Sequence, residues 1–501
     1  METNGQELFY SPVETGADQF LKHKTIGRIG KNILISRERK RKHYVSVFDN
    51  SMNLIREVEL NILPKNIVDV DYINAGNKTH IIFQFLEKNT LFAGYTSLDE
   101  NGKITNEVTK LDSTLVDNIR DFPIYQVIVN TSKSMFMLLY IHQTEELITK
   151  LTTKLYNNTI EKLDQSTLLV STPEGNENLK QFQLDNEGNL IFLHNLSSAE
   201  SNNFYTRTDI LIKLKGVNEV KNATIQSGKI WLKDLKIAID NVNSRVIAGS
   251  VFYGSKKFIA QGIFTLMIDV KTGNASNWKQ EFYSDSLKKE LQNKITPRKK
   301  TFDEYDLDEI IPYTNGGFAM IMEQRITEGS KGIISSNQSF IAEPLSPRVI
   351  YNGSTDEGAI FNVIRTPYQA FQIPIESSSR SLIRNIAGNM LIFSLNKENQ
   401  LIDVQVLRKE QDENRTSNTI SYALMKSTGA IKLLYNEKDK NELSLRSANF
   451  IPGSRIKRNP AIKGSISNFR FLPRYATQIG SNECIIPCLK MNFGSFARIV
   501  F

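Results

Sequence analysis

The segment FQLDNEGNLIFLHNL, residues 182–196, contains the pattern that decides the fold. Apolar and polar residues alternate on both sides of a short polar corner, and a period of two is typical of β-strands. Asp185 at the corner can accept hydrogen bonds from the backbone amides that follow it, while Gly188 supplies the positive φ that closes the turn. The segment therefore predicts an antiparallel hairpin with a loop of four or five residues.

The same hairpin pattern recurs along the chain, and a second strand-turn-strand segment precedes many of its copies. Pairing the two segment types gives units of roughly 50 residues, a period typical of four-stranded propeller blades. The further copies have corners at Asp49, Asp99–Gly102, Asp269–Gly273 and Ser427–Gly429, and one without glycine lies in 391–407.

These repeats predict an all-β protein with a single β-propeller-like ring of about seven or eight blades. We expect residues 1–24 to form an N-terminal extension and residues 25–501 to form the propeller-like domain. The strands in 481–493 and 496–501 could complete a sheet begun by the N-terminus, because ring closure removes exposed sheet edges. The predicted units are 25–62, 66–112, 117–168, 177–226, 232–284, 306–378, 382–438 and 443–501.

One short helix and one polar break interrupt the strand pattern. Residues 284–295 begin with Ser284 and Asp285 as candidate caps and place Leu287, Leu291 and Ile295 on one face, which predicts a helical insert. The stretch RKEQDENRTSN, residues 408–418, is highly polar and is expected to form a mobile hairpin tip.

Composition and charge limit the possible functions. The 501 residues are 40% hydrophobic and 23% charged, which is ordinary globular composition. The net charge of +8 comes from 62 basic and 54 acidic residues, a mild bias that makes a nucleic-acid partner unlikely. No stretch is apolar enough to span a membrane, and the start METNGQELFY lacks the apolar core of a signal peptide. The chain is therefore expected to be cytoplasmic, or else a mature or trimmed form.

Three segments carry a resemblance to a known group of proteins. Residues 234–274, 305–324 and 469–501 are similar to a group of uncharacterised envelope proteins from the bacterial phylum Bacteroidetes. In the last segment the matching features are the pair Pro473 and Arg474 and the turn at Gly494. The resemblance implies a β-propeller-like fold and a periplasmic or cell-surface location. It carries no catalytic residues, and residues 326–380 match it poorly.

The acidic segment FDEYDLDEII supplies the candidate catalytic residues, Asp306 and Asp308. On a strand their side chains would point the same way, so the two carboxylates could share a cation or act as an acid and base pair. The alternative is that they face solvent at the start of a strand, partly offset by the basic residues 298–300.

The basic run RERKRKH, residues 37–43, supplies the candidate binding residues for an anionic partner. The alternative is a solvated hairpin tip with the cations on an edge strand, where they guard against aggregation. No interleaved aromatic platform accompanies the run, which favours the hairpin tip. The candidate residues are Arg37, Arg39, Lys40, Arg41 and Lys42.

No cofactor or metal site is predicted. Cys484 and Cys488 lie four residues apart on a predicted strand, about 13 Å along its length, which is too far for a disulfide. They are expected to be free or buried thiols, and no nearby histidine completes a metal set.

The sequence thus predicts a non-catalytic binding or scaffold protein of the bacterial cell envelope that presents propeller loops to a protein or glycan. The alternative is a propeller-type glycan hydrolase or lyase that uses the carboxylates near 303–309. Contact with nucleic acid or another anionic polymer through residues 37–43 and 298–300 is a third hypothesis.

Overall fold

Paired antiparallel strands make up most of the chain in the computed structural model. The structure describes residues 6–14, 22–144, 147–172, 177–197, 204–226, 230–254, 259–276, 278–291, 304–329, 332–334, 348–351, 361–364, 371–372, 384–414, 419–427, 429–439, 442–462, 469–490 and 493–501.

The strands and the helix have the following bounds. In the first half they are β1 Glu7–Tyr10, β2 Lys22–Ile29, β3 Asn32–Arg39, β4 Lys42–Phe48, β5 Leu54–Glu59, β6 Ile67–Asn74, β7 Thr79–Glu87, β8 Thr90–Leu98, β9 Thr109–Leu115, β10 Asp121–Pro123, β11 Gln126–Val129, β12 Met135–Gln143, β13 Ile148–Asn157, β14 Lys162–Ser171, β15 Glu177–Leu184, β16 Leu190–Ser197, β17 Phe204–Lys213, β18 Val220–Gln226, β19 Ile230–Asp240 and β20 Arg245–Gly254. In the second half they are β21 Ala260–Asp269, β22 Lys279–Phe282, α1 Asp285–Leu291, β23 Tyr305–Pro312, β24 Phe318–Gly329, β25 Gly332–Ile334, β26 Arg348–Tyr351, β27 Phe361–Ile364, β28 Phe371–Gln372, β29 Arg384–Leu395, β30 Leu401–Leu407, β31 Gln411–Asn414, β32 Tyr422–Ser427, β33 Ala430–Asp439, β34 Glu442–Phe450, β35 Lys457–Ala461, β36 Phe469–Phe471, β37 Thr477–Gly480, β38 Glu483–Lys490 and β39 Phe493–Val500.

Four-stranded antiparallel sheets, here called blades, are the repeating element. The described residues form eight blades. Two of the eight join into one larger sheet, because β17 pairs with both β18 and β19. The predicted all-β, propeller-like fold with one short helix is confirmed. The blades are β2–β5, β6–β9, β11–β14, β15–β18, β19–β22, the set β23, β24, β29 and β30, then β32–β35, and finally β36–β39 with β1.

The chain divides into two compact units. Unit 1 comprises residues 1–127, 346–384 and 411–501, and unit 2 comprises residues 128–345 and 385–410. The division of the sequence into residues 1–24 and 25–501 stays a prediction.

Within unit 1, the N-terminal strand completes the blade at the C-terminal end. β1 pairs antiparallel with β39, with Glu7 opposite Val500 and Tyr10 opposite Ala497. Ser11 extends the contact, since its backbone N–H donates to the Phe496 carbonyl at 2.8 Å. The expected joining of the two chain ends in one sheet is therefore confirmed.

The hairpin corners have the predicted chemistry. The Oδ1 of Asp185 accepts from the backbone amides of Glu187 at 2.9 Å and Asn189 at 2.8 Å, and Gly188 has φ 94°. Asn157 accepts in the same way two and four residues ahead, but Ile160 occupies the left-handed position there with φ 66°. The corner motif therefore depends on its first Asp or Asn, and glycine is helpful but not obligatory.

The last three predicted units have the wrong boundaries. The sixth blade takes two strands from 305–329 and two from 384–407, so 306–378 and 382–438 are not separate blades. The period fails here because four short strands come between the two halves of this blade: β25 adds to β24, β26 pairs with β10 and β27, and β28 pairs with β2.

The predicted helix is confirmed in part. α1 ends at Leu291, and residues 292–295, including Ile295, lie outside the described residues. The Ser284 hydroxyl accepts from the Leu287 amide at 3.2 Å, as expected of a cap, and Leu287 and Leu291 are buried.

Apolar side chains, including many aromatic rings, fill the spaces between neighbouring blades. In unit 1, Leu34 and Val45 of the first blade pack with Ile81 and Phe83 of the second. Unit 2 has the same arrangement between its sheets. The aromatic residues Phe48, Phe83, Tyr125, Phe252, Phe264, Phe318 and Phe393 are all buried.

Within unit 1, two glutamine side chains also hold backbone groups that are distant in sequence. The Gln84 amide donates to the Tyr125 carbonyl at 2.8 Å and accepts from the Tyr125 N–H at 2.8 Å. Gln478 clasps the backbone of Lys426 in the same two-bonded way, at 2.7 and 3.0 Å. The first clasp is buried and the second is exposed.

Candidate functional site

The first strands of three consecutive blades in unit 2 carry a cluster of charged residues. β15, β19 and β23 each contain a β-bulge, where their register with the next strand shifts. The bulges place Gln181 at φ 55° and Asp234 at φ 47°, a left-handed conformation that is uncommon for such residues. Bulges re-aim side chains and are frequent next to functional sites, so this region is the candidate site.

Lysine–aspartate pairs connect the three bulged strands. Lys180 Nζ on β15 lies 2.7 Å from Asp234 Oδ1 on β19, and Lys233 Nζ lies 2.6 Å from Asp306 Oδ1 on β23. The Gln181 amide reinforces the first contact, because its oxygen accepts from the Ile237 N–H at 3.0 Å. A lysine–aspartate ion pair therefore joins β15 to β19, and a second one joins β19 to β23.

The two predicted carboxylates both belong to this cluster. Asp306 pairs with Lys233, while Asp308 makes a two-pronged contact with Arg325, at 2.8 Å from Nη1 and 2.9 Å from Nη2. The solvent-facing alternative is wrong, since both side chains are largely buried and contact cations on other strands. Residues 298–300 and Asp303 lie outside the described residues.

A chain of alternating charges continues inward from Asp308. Arg325 Nε lies 3.0 Å from Glu323 Oε2, and Glu323 Oε1 lies 2.7 Å from Lys409 Nζ. The Glu323 and Lys409 side chains are 0% and 1% exposed. Ions so far from water are retained only with close partners, because an unpaired buried charge is strongly destabilising.

Burial dominates the titration behaviour of this chain of charges. It raises the pKa of Asp308 to about 6, although Arg325 opposes the shift and the nearby Glu323 and Asp306 carboxylates reinforce it. Burial also lowers the pKa of Lys409 below its usual range, against the attraction of Glu323. A carboxyl group that titrates near pH 6 can exchange a proton in mildly acidic surroundings.

The predicted basic residues divide into a buried arginine and an exposed tip. Arg37 is buried, with Nη1 2.7 Å from Glu14 Oε1 and its guanidinium over the rings of Phe48 and Phe496. Lys40 and Arg41 form the exposed two-residue turn between β3 and β4, with φ values of 49° and 62°.

The remaining two basic residues flank this turn. The Arg39 guanidinium lies over the Tyr44 ring, and Lys42 Nζ lies 2.8 Å from Glu59 Oε1. The prediction of a hairpin tip is confirmed. Its assignment to an edge strand is wrong, because β3 and β4 lie inside a sheet ordered β28-β2-β3-β4-β5.

Cys484 and Cys488 are buried and not joined by a disulfide, as expected. Burial raises the pKa of the Cys484 thiol to about 12, so it stays protonated and unreactive. The described part of the chain contains no group of three or more metal-ligating side chains and no helix that could cross a membrane.

Sequence reasoning missed most of the charged cluster. A usable signal was present in the repeated Leu-Lys-polar-apolar-polar motif at 179–183 and 232–236, which places a lysine just before each bulge. Lys409 had no such signal, because it lies in the polar stretch 408–418 that predicted a mobile tip, yet it is buried.

No family model matches the chain, and no curated protein matches it. Solved structures resemble it weakly. The WD40 domain of SCAP from fission yeast has 8% identity and a TM-score of 0.39, over 99% of this chain and 98% of that one. A polysaccharide lyase of family PL25, an ulvan lyase, has 8% identity and a TM-score of 0.37, over 86% and 91%. Prolyl oligopeptidase B from Galerina marginata has 8% identity and a TM-score of 0.38, over 94% and 55%.

Proposed function

We propose that this chain is a non-catalytic binding or scaffold protein of a bacterial cell envelope, and that its hairpin loops bind a protein or glycan. One observation supports the non-catalytic part above all. Asp306 and Asp308, the candidate acid and base, are each held by a cation at 2.6–2.9 Å. Carboxylates engaged in this way stabilise the contacts between strands and are poorly placed to attack or protonate a substrate.

The exposed tip at Lys40 and Arg41 is the proposed contact for an anionic partner. Both residues are exposed, and pairing of Arg39 with Lys42 fixes the base of the turn. A short rigid turn loses little conformational entropy on binding, which favours recognition by such a tip.

A binding experiment tests this proposal. The purified protein would be immobilised, exposed to envelope extract, and eluted at two salt concentrations, because contacts with anionic groups weaken as salt rises. The double variant Lys40→Gln/Arg41→Gln should retain less material than the wild type. Lys88→Gln, at the exposed tip between β7 and β8, is the matched control. No retained partner at either salt concentration would refute the proposal, and subcellular fractionation tests the location.

A glycan hydrolase or lyase is the second candidate, because the raised pKa of Asp308 suits a general acid. The variants Asp306→Asn and Asp308→Asn would be compared with the wild type for the release of products from envelope polysaccharides. Activity that both variants lose would support this candidate. Absence of release by the wild type, or release unchanged in both variants, would remove it.

A further inference from the structure

The edge of the fifth blade carries two exposed aromatic rings. In the described part of the chain, β22 is the outermost strand of this blade. Phe282 on β22 is 65% exposed, and Trp278, which directly precedes the strand, is 56% exposed. No other phenylalanine, tyrosine or tryptophan among the described residues is exposed. Exposed apolar residues are ordinary when they are scattered, but two large rings together on one strand mark an interaction site.

Buried rings hold both exposed rings in place. Phe282 meets Phe252 edge-on, with ring centroids 5.1 Å apart, and Trp278 stacks on Phe264 at 6.0 Å. Phe252 and Phe264 belong to the apolar core between the fourth and fifth blades. Gly262 lies opposite Phe282 and makes room for this packing, since a Cβ there would lie 2.8 Å from the Phe252 ring. The exposed rings are therefore already ordered and lose little conformational entropy when a ligand binds.

A neutral polar group lies between the two rings. Gln280 is two residues from each ring and lies opposite Phe264, so the three side chains share one face of the strand. Its Nε2 is shielded from solvent and has no hydrogen-bond partner in the described structure. Such a donor is unfavourable, and rotation of the side-chain amide towards a ligand hydroxyl relieves the cost. The charged neighbours Lys279 and Glu281 alternate onto the opposite face, where Lys279 Nζ donates to the Glu398 carbonyl at 2.9 Å.

We propose that Trp278, Gln280 and Phe282 form a binding site for a neutral glycan chain. A pyranose ring has a face of C–H groups that packs against the electron-rich face of an aromatic ring, and its hydroxyls bond to a neutral amide. The two aromatic residues are four positions apart, about 13 Å along a strand, which is more than one sugar can span. The ligand is therefore an oligosaccharide that contacts both rings. This site uses other strands than the tip at Lys40 and Arg41 and does not depend on the partner proposed for that tip.

The exposed area favours a glycan over a protein partner. A large aromatic side chain buries about 150–250 Å², so these two partly exposed rings offer roughly 250 Å² together. A stable protein interface needs about 800 Å² from each partner. The patch is thus too small for a lasting contact with a protein or a second copy of this chain, but it suits a narrow sugar chain.

Calorimetric titration of the purified protein with defined sugars tests the site. The probes are the neutral hexasaccharides cellohexaose, mannohexaose and xylohexaose, the anionic hexamer of galacturonic acid, and the single sugars glucose, mannose and xylose. We expect at least one neutral hexasaccharide to bind, and to bind more tightly than its single sugar and the anionic hexamer. Failure of all three neutral hexasaccharides to bind, or equal affinity for a hexasaccharide and its single sugar, would overturn the proposal.

Variants of the exposed rings show whether they make the contact. Trp278→Ala and Phe282→Ala should each weaken binding about tenfold or more, whereas Trp278→Phe keeps a ring and should lose less. Leu169→Ala, on the edge strand β14 and 67% exposed, is the matched control and should bind like the wild type. Melting temperatures of all variants would be compared, so that a loss of folding is distinguished from a loss of contact. Unchanged affinity in both alanine variants that remove a ring would overturn the proposal.

Two further readouts separate the glycan from other occupants. Trp278 is one of only two tryptophans in the chain, so its fluorescence should change on binding, and this change should disappear in Trp278→Ala. Sedimentation of the wild type without sugar should show a single species whose size is the same in Trp278→Ala. Self-association that Trp278→Ala abolishes would assign the rings to an interface between copies of the chain and overturn the proposal.

Discussion

Replacing Gln84 by methionine should destabilise the protein far more than the same replacement at Gln478. Both glutamines clasp one backbone residue through two hydrogen bonds of 2.7–3.0 Å, so the two clasps are the same in kind. Each amide also donates to a third group, which is Asp69 Oδ2 at 3.5 Å for Gln84 and the Gly480 carbonyl at 2.9 Å for Gln478. Methionine has a similar length but neither an amide donor nor an amide acceptor.

The expected magnitude follows from burial. At Gln84 the variant removes two hydrogen bonds from buried backbone groups of Tyr125, at about 1–3 kcal/mol each, or roughly 4 kcal/mol together. At Gln478 the backbone groups of exposed Lys426 can bind water instead, so we expect a loss of about 1 kcal/mol or less.

Equilibrium unfolding in urea measures the difference. Both variants and the wild type would be unfolded under the same conditions, and the midpoints and slopes compared. Native-state hydrogen exchange around Tyr125 would show whether the loss is local. Equal losses in the two variants, or a Gln84→Met variant within about 1 kcal/mol of the wild type, would refute the argument that burial sets the value of these clasps.

Three further predictions concern turns and charges. Ile160→Gly should stabilise the protein by about 1 kcal/mol, because it relieves a β-branched residue at φ 66°, and a lower melting temperature would contradict this. Asp185→Ala should lower the free energy of unfolding by about 2 kcal/mol and Asp49→Ala by about 1 kcal/mol, both measured in urea, because the hairpin corner at Asp185 is buried and the corner at Asp49 is exposed. A larger loss for Asp49→Ala than for Asp185→Ala would contradict this explanation. Burial acts to raise the pKa of Glu483, but Arg28 and Arg498 hold this pKa below its usual range. The ionised Glu483 therefore stabilises the folded protein fully above about pH 4.3, the pKa of an unfolded glutamate. This stabilisation is lost as the pH falls through the lower pKa of the folded state. Glu483→Gln should therefore lower stability at pH 7 by about 2 kcal/mol and flatten the acid side of a melting curve measured against pH, which an unchanged acid slope would disprove.

The hairpins could be predicted from sequence because their determinants are local. Asp185 and Gly188 lie three residues apart, and their roles depend on backbone geometry within one turn. The alternation beside them gives the strands, and the spacing of the copies gives the first five blades. The prediction of blade boundaries fails between β24 and β29, where the repeat of about 50 residues is interrupted. No local sequence pattern indicates that β29 and β30 belong to the same sheet as β23 and β24.

The charged cluster could be predicted only in part, because its partners are distant in sequence. Asp308 was identified as a candidate, but its partner Arg325 is on the next strand and Lys409 is about a hundred residues away. Arg37 shows the same difficulty, since its burial depends on Glu14. A charged residue in sequence is expected to be solvated, and only the fold reveals which charges are enclosed.

The pairing of β1 with β39 has a consequence for biosynthesis. The hydroxyls of Ser11 and Ser495 lie 3.2 Å apart in the folded protein but 484 positions apart along the chain. At 5–20 residues per second, roughly 25 to 100 seconds pass between the translation of these two residues. During that interval Leu8 and Tyr10, which later pack in the core of the last blade, have no sheet to join. Residues 7–10 must therefore remain soluble or be shielded during that interval, because the sheet that joins β1 to β39 forms only after β38 and β39 are made.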